Sequence, residues 1–312
     1  MDLLIRIIII FCAGGIFFVL PSTIYTFMFL GIFYKTKPLL LDSDDPTGTH
    51  YYAHREELKK VITEAKQIPC QEVWIKSDDG LNLFGRYYDQ GSTTTVVLVH
   101  GYQSNSYNNF SSLLKYFLSL QYNVCMIDQR AHGLSGGHFT TCGAKEQYDV
   151  LNWISWLEEN TASEHVFLYG ISMGATTVGL ASDKIRSVKV KGLMMEAGFT
   201  SFYDELVWCM EHVFTKKAAL NYILLCIDFF LKADIKESTL QTLAKTKIPV
   251  LFLYGDKDKD VPTDHTRQNY LACASEKELC VVEGAGHTMC HMIGKESVEK
   301  KLRDFIAKYN IK

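Results

Sequence analysis

The chain has 312 residues, enough for one large α/β domain with an appendage or for two small domains. A formal net charge of -3 gives no sign of a nucleic-acid footprint, so nucleic acid is not an expected partner. Hydrophobic residues make up 47% and charged residues 21%, which fits a globular chain carrying one long apolar segment. Nine cysteines are scattered without C-x-x-C spacing and read mostly as buried free thiols, not as disulfides or zinc ligands. No internal repeat is visible.

Ile7 to Phe33 contains no charged side chain over 27 residues, against the ~20 needed to cross a hydrocarbon core. The run is too long for a signal-peptide core, and no small-residue cleavage site follows it. It is expected to be an uncleaved transmembrane helix, with Tyr34, Lys35 and Lys37 as its interfacial end. The expected domains are an anchor at 1–37, a linker and connecting helix at 38–70, and one large α/β domain at 71–312. The helix over 50–67 is expected to be solvated. Two strand-like runs, 72–77 and 81–88, flank Asp78-Asp79-Gly80, a hairpin signal.

From there strands and helices alternate, which predicts a mostly parallel sheet flanked by helices. Strands are expected at 95–99, 124–128, 166–171, 190–196, 249–254 and 278–282. Helices are expected at 109–120, 144–159, after Gly174, at 263–273 and at 297–309. The stretch 199–247 breaks the rhythm with almost 50 residues of apolar helical pattern. It reads either as extra core helices or as a lid or cap inserted over a site, with an apolar inner face selecting an acyl substrate.

The chemistry centres on Gly170-Ile171-Ser172-Met173-Gly174, a G-x-S-x-G pattern between a strand and a helix. Such an elbow lifts the serine Oγ out of the sheet on a strained turn, and side chains at the flanking glycines would collide with neighbouring elements. A serine hydroxyl needs a base to take its proton, and the base needs a third group to orient it. His287 in Gly284-Ala285-Gly286-His287 follows a predicted strand, as does Asp258. Ser172, Asp258 and His287 stand in the order nucleophile, acid, base. Asp256 and Asp260 compete with Asp258 on proximity, and Glu196 is a second-line acid. The Asp-Lys repeat at 256–260 mimics a calcium loop but has Val261 where glycine is required and Arg267 where glutamate should close it. Oxyanion donors are expected in the backbone N–H of Met173 and of Tyr102, which follows His100-Gly101. No cofactor or metal is implied.

The pieces VVLVHGYQSN, DQRAHGLSGG, VFLYGISMGA, MMEAGFTS, PVLFLYGDKDKDVP and GAGH resemble those of α/β-hydrolase-fold serine hydrolases of the membrane-anchored bacterial, YqkD-like type. The resemblance spans about residue 96 to the C-terminus and selects Asp258 over its neighbours. It implies Ser172 as nucleophile, His287 as base, Asp258 as orienting acid, and Tyr102 and Met173 N–H as oxyanion donors. Asp128, Arg130, His132 and Gly133 are then a structural loop. The expected activity is hydrolysis of a small-molecule or lipid-like ester at a single-pass cell-membrane location, with orientation and oligomeric state left open. A peptidase, an acyltransferase or a catalytically silent binding protein on the same fold are the alternatives.

Overall fold

The computed structural model describes residues 21–35, 54–211 and 216–310. Its frame is an eight-stranded sheet: β1 (Gln71–Lys76), β2 (Asn82–Tyr88), β3 (Thr94–Val99), β4 (Asn123–Asp128), β5 (His165–Ile171), β6 (Val190–Glu196), β7 (Val250–Gly255) and β8 (Lys277–Val282). Their spatial order is β1-β2-β4-β3-β5-β6-β7-β8. The β1–β2 and β2–β4 pairs are antiparallel and all the others are parallel.

Side-chain alternation divides the core into two layers. Val96 and Leu98 of β3, with Phe167, Tyr169 and Ile171 of β5, point to one face. Val97, Val99, Val166 and Leu168 point to the other. Because both faces are covered, the central strands are apolar throughout, as a parallel sheet between helical layers requires. The first face is covered by α1 (Arg55–Lys66), α2 (Ser106–Ser119) and α10 (Lys295–Tyr309). The second is covered mainly by α3 (Glu146–Asn160) and α4 (Met173–Ala181). On α3, Trp153 and Trp156 meet edge to face at 6.0 Å, with Trp153 buried.

The expected strands and helices appear within a few residues of their sequence-derived bounds, with three instructive differences. Helix α1 is not a solvated connector: Leu58, Ile62 and Ala65, one face at i, i+4 and i+7, are buried against the first layer. Helix α2 begins at Ser106, not at residue 109, because the Asn105 side chain caps it by accepting from Asn108 N–H at 2.8 Å. A short helix, α9 (Cys290–Ile293), follows the histidine loop and has no periodic sequence signal.

Between β6 and β7 the chain forms the expected helical insertion. It contains α5 (Phe202–Cys209), α6 (Lys216–Cys226), a π-helical turn (Ile227–Leu231) and α7 (Thr239–Leu243). A third apolar cluster joins Leu206, Met210, Ile223 and Leu231 of this cap to Met173 at the serine turn. Phe29 and Phe33 belong to the same cluster.

The expected membrane span falls partly on residues 7–20, which lie outside the described residues. Residues 21–33 are helical, and Phe29 and Phe33 are buried against the domain and its cap. Among the described residues no helix is long and apolar enough to cross a membrane. Of the cysteines among the described residues, all are free and most are buried.

Candidate active site

The site is built at the C-terminal ends of β3, β5, β7 and β8. The chain steps outward from β3 to β4 and then crosses back to β5, so the loops leaving β3 and β5 diverge there. That is the switch point at which open α/β sheets place ligands.

Ser172 follows β5 and occupies the N-cap position of α4 with φ 54° and ψ -120°, a strained conformation for a residue with a Cβ. Its N–H donates to Glu196 O at 2.8 Å. The turn is possible only because two close approaches are left empty. A Cβ on Gly170 would lie 2.3 Å from Gly174 O, and one on Gly174 would lie 1.9 Å from Val99 O. The outcome is a hydroxyl aimed away from the sheet, at the N-terminus of a helix.

His287 reaches this hydroxyl from the loop after β8, with Nε2 2.9 Å from Ser172 Oγ. On the other side of the ring, Nδ1 lies 2.8 Å from Asp258 Oδ2. The remaining Asp258 oxygen accepts the N–H groups of Asp260 and Val261, each at 3.0 Å, which fixes the carboxylate plane. Burial alone would lower the His287 imidazole. The hydrogen bond and charge of Asp258, with Asp260 and Glu205 behind, outweigh it and hold the ring above its ordinary value.

The competing acids are engaged elsewhere. Asp256 accepts Gly284 N–H at 2.6 Å and is exposed. Glu196 is fully buried, accepting the Tyr169 hydroxyl at 2.6 Å and Cys290 N–H at 3.2 Å. Burial raises its carboxyl above the usual range despite those donors.

Both expected oxyanion donors border the serine. Met173 opens α4, where first-turn N–H groups have no intrahelical acceptor. Tyr102 follows Gly101, whose N–H is held by Asn109 Oδ1 at 2.8 Å and where a Cβ would sit 3.3 Å from the Ser172 Cβ. Two buried histidines shape this loop. His132 Nε2 accepts Gln103 N–H at 3.2 Å, and His100 Nε2 accepts Gln129 N–H at 3.0 Å. Arg130 pairs with Asp149 at 2.7 Å and with Asp79 at 2.8 Å. The loop at 128–133 is therefore scaffolding, as the resemblance implies.

Two contributors were not legible in the sequence. The Tyr102 hydroxyl donates to Ile32 O at 2.6 Å and Gln103 Nε2 donates to Gly31 O at 3.2 Å, so the helical segment 21–33 holds the oxyanion loop. Glu205, on the cap, is mostly buried and its Oε2 has no hydrogen-bond partner. Burial pushes its carboxyl up to about 7. Its only sequence signal is an acid within the apolar α5, a pattern too common to single out.

A family model described as Serine aminopeptidase, S33, matches residues 90–222. The chain is 27% identical over 298 residues to the uncharacterized protein YqkD of Bacillus subtilis, covering 92% of each chain. It is 27% identical over 263 residues to the α/β-hydrolase domain-containing protein WAV2 of Arabidopsis thaliana, covering 80% of this chain and 82% of that one. A Pyrococcus furiosus esterase, Pf2001, superposes with a TM-score of 0.65 at 24% identity over 79% of this chain and 95% of its own. The fold is the α/β-hydrolase fold. Its mostly parallel eight-stranded sheet flanked by helices follows that plan.

Proposed function

We propose that the protein is a serine hydrolase that cleaves a carboxylic ester through an acyl-enzyme on Ser172. The observation that carries this reading is the continuous chain Ser172 Oγ, His287, Asp258 at 2.9 and 2.8 Å. In the first step Oγ attacks the acyl carbon while His287 Nε2 takes the hydroxyl proton. Charge develops on the carbonyl oxygen, opposite the N–H groups of Met173 and Tyr102. The imidazolium returns its proton to the departing alkoxide as the carbon–oxygen bond breaks. Water, deprotonated by the same nitrogen, then attacks the acyl-enzyme, and the acid leaves with Ser172 reprotonated.

The apolar cap cluster around Met173 favours an acyl chain on the substrate. The P. furiosus neighbour is itself named an esterase, which agrees with this reading. The apolar run at 7–33 is read as the tether of the protein to a membrane. No step requires a cofactor.

A peptidase is the second reading, favoured by the description of the matching family model and by Glu205. A buried cap carboxylate whose Oε2 accepts no hydrogen bond, with His265 Nδ1 4.0 Å away, is the group that would receive a substrate ammonium. The deciding experiment uses the full chain in detergent beside Ser172→Ala, with p-nitrophenyl esters of increasing chain length and amino-acid p-nitroanilides. Ester turnover that vanishes in the mutant supports the first reading, and turnover of the anilides alone supports the second. A folded wild-type protein that hydrolyses neither and is not labelled by a fluorophosphonate sinks both.

A further inference from the structure

The helical segment 21–33 has two apolar sides, and the domain uses only one. Phe29 and Phe33 face inward to the cluster that reaches Met173. Ile24, Phe27 and Leu30, each three residues from the next, face outward and are 49%, 69% and 37% exposed. A helix packed once onto a soluble domain would carry polar residues on that outer side.

The cap repeats the pattern directly alongside. Thr26 Oγ1 lies 2.8 Å from the Tyr222 hydroxyl, and the Tyr25 and Tyr222 rings are 5.7 Å apart, so α6 runs beside the segment. Leu225, Phe229 and Phe230 of α6 and the π-helical turn are 64%, 72% and 60% exposed. Phe230 ties the cap stripe to the segment, with its ring 4.9 Å from Phe229 and 6.0 Å from the inward-facing Phe29. Six large exposed apolar side chains thus stand on two elements that are far apart in sequence but packed side by side. Apolar exposure gathered in this way marks a surface meant to be covered.

What covers it follows from the chain to which it belongs. The segment 21–33 is the end of the uncharged run that starts at Ile7, so the face begins where the most lipid-compatible stretch of the sequence stops. Tyr34, half exposed, stands at its far end, and Lys217 and Lys232 are exposed at the two ends of the cap stripe. One acid, Asp228, shares that stripe. An apolar face rimmed by tyrosine and lysine suits the interface of a phospholipid bilayer.

We infer that this joint face of segment 21–33 and the cap rests in a phospholipid bilayer, and that the site takes its acyl ester from that bilayer. The inference rests on the ester-hydrolase reading and names its substrate class: a bilayer-resident acyl ester. The inner side of the same helix belongs to the cluster that reaches Met173, next to Ser172, so one helix carries both the outward face and packing against the serine turn.

The test uses the full chain reconstituted in phosphatidylcholine vesicles. The substrates are a long-chain fluorogenic ester dissolved in the bilayer and water-soluble p-nitrophenyl acetate. The variant combines Phe27→Ser, Leu225→Ser and Phe229→Ser, all at exposed positions outside the reacting groups. Bilayer-ester turnover is expected to fall about tenfold or more while acetate turnover stays within about twofold. Unchanged bilayer turnover overturns the inference. So does an equal fall on both substrates, which would mean that the face packs against protein, either the chain's own N-terminus or a second copy.

A second measurement needs no turnover. Phe229→Trp keeps the face apolar, and brominated phosphatidylcholine should quench its added fluorescence beyond that of the wild type. No added quenching overturns the bilayer contact. Quenching without turnover of either ester, and without fluorophosphonate labelling, keeps the contact and rejects the hydrolase reading instead.

Discussion

The clearest energetic test of the fold concerns Phe33, within a stretch that hydropathy alone assigns to a membrane span. Its ring is fully buried, 5.1 Å from Phe29 and 5.6 Å from Phe202. Its carbonyl accepts Thr140 N–H at 2.8 Å. Truncating a buried phenylalanine to alanine costs about 3–5 kcal/mol, from lost transfer energy and the cavity left behind. At about 2–4 °C per kcal/mol for a domain of this order, Phe33→Ala should lower the melting temperature by roughly 6–20 °C. Phe27→Ala is the control: its ring lies on the same helix but is 69% exposed, so its cost in detergent should be within about 0.5 kcal/mol. If the helix undocks before the domain melts, the fall is smaller. The loss then appears in activity, because the Tyr102–Ile32 hydrogen bond that steadies the oxyanion loop goes with it. The assay is thermal unfolding of the full chain by circular dichroism, alongside kcat/KM for p-nitrophenyl butyrate. If Phe33→Ala and Phe27→Ala melt and react alike, the packing of segment 21–33 is refuted.

The site supports further expectations. Asp258→Asn places an amide against His287 Nδ1 in place of the carboxylate and should lower kcat on the order of 10^4-fold, with the melting temperature measured as the fold control. In the proposed mechanism His287 acts as the neutral base, and its pKa is held above the ordinary imidazole value. The rate should therefore fall with decreasing pH through a midpoint above ~6.5. The charge of Glu205 is among the causes that raise that pKa, and because its own carboxyl is pushed up to about 7 it is only partly ionised on the acid limb, so Glu205→Gln should move that limb of kcat/KM modestly to lower pH; an unmoved limb would remove Glu205 from the electrostatics of the base. Gly174→Ala puts a Cβ 1.9 Å from Val99 O and should abolish soluble expression. Gly286→Ala, with nothing within 4 Å of the added atom, should express normally.

What was legible in the sequence had local causes. The serine turn could be read because its glycines are dictated by backbone atoms within a few ångströms, and such constraints leave the same residues in every such turn. His287 and an acid among 256–260 were legible because loops after parallel strands converge on one edge; the choice of Asp258 over Asp256 and Asp260 came from the resemblance, not from position. The packing of 21–33 was not legible. Membrane and protein core both accept uncharged apolar residues, so hydropathy cannot tell a lipid-facing helix from one seated on a cap. The burial of α1 was missed because its lysines and glutamates outnumber the three apolar residues that form its inner face. Glu205 owes its environment to the packing of α5 over the site, which no spacing along the chain encodes.

Three histidines at one edge of the sheet show why residue type alone does not assign a base. His100 and His132 are buried 5.1 Å apart, ring to ring. Each accepts a backbone N–H at Nε2 and meets a backbone carbonyl at Nδ1, Gly101 O at 2.7 Å and Arg130 O at 2.9 Å. With Nε2 accepting, the proton must sit on Nδ1 and donate to the carbonyl, so both nitrogens are used and the tautomer is fixed. Burial, with the neighbouring ring, lowers His132 to about 4, and burial lowers His100 as well. Neither ring has a free lone pair to offer a hydroxyl or a carboxylate bonded to its Nδ1, and the charges of Asp128 and Glu146 do not offset burial. His287 is just as enclosed but has Asp258 at Nδ1 and a hydroxyl at Nε2. Its cation is stabilised where theirs is opposed, and its free lone pair points at a group with a proton to give. The base is therefore chosen by the partner at Nδ1, and Asp258→Asn should make His287 behave like its two neighbours: buried, neutral and inert.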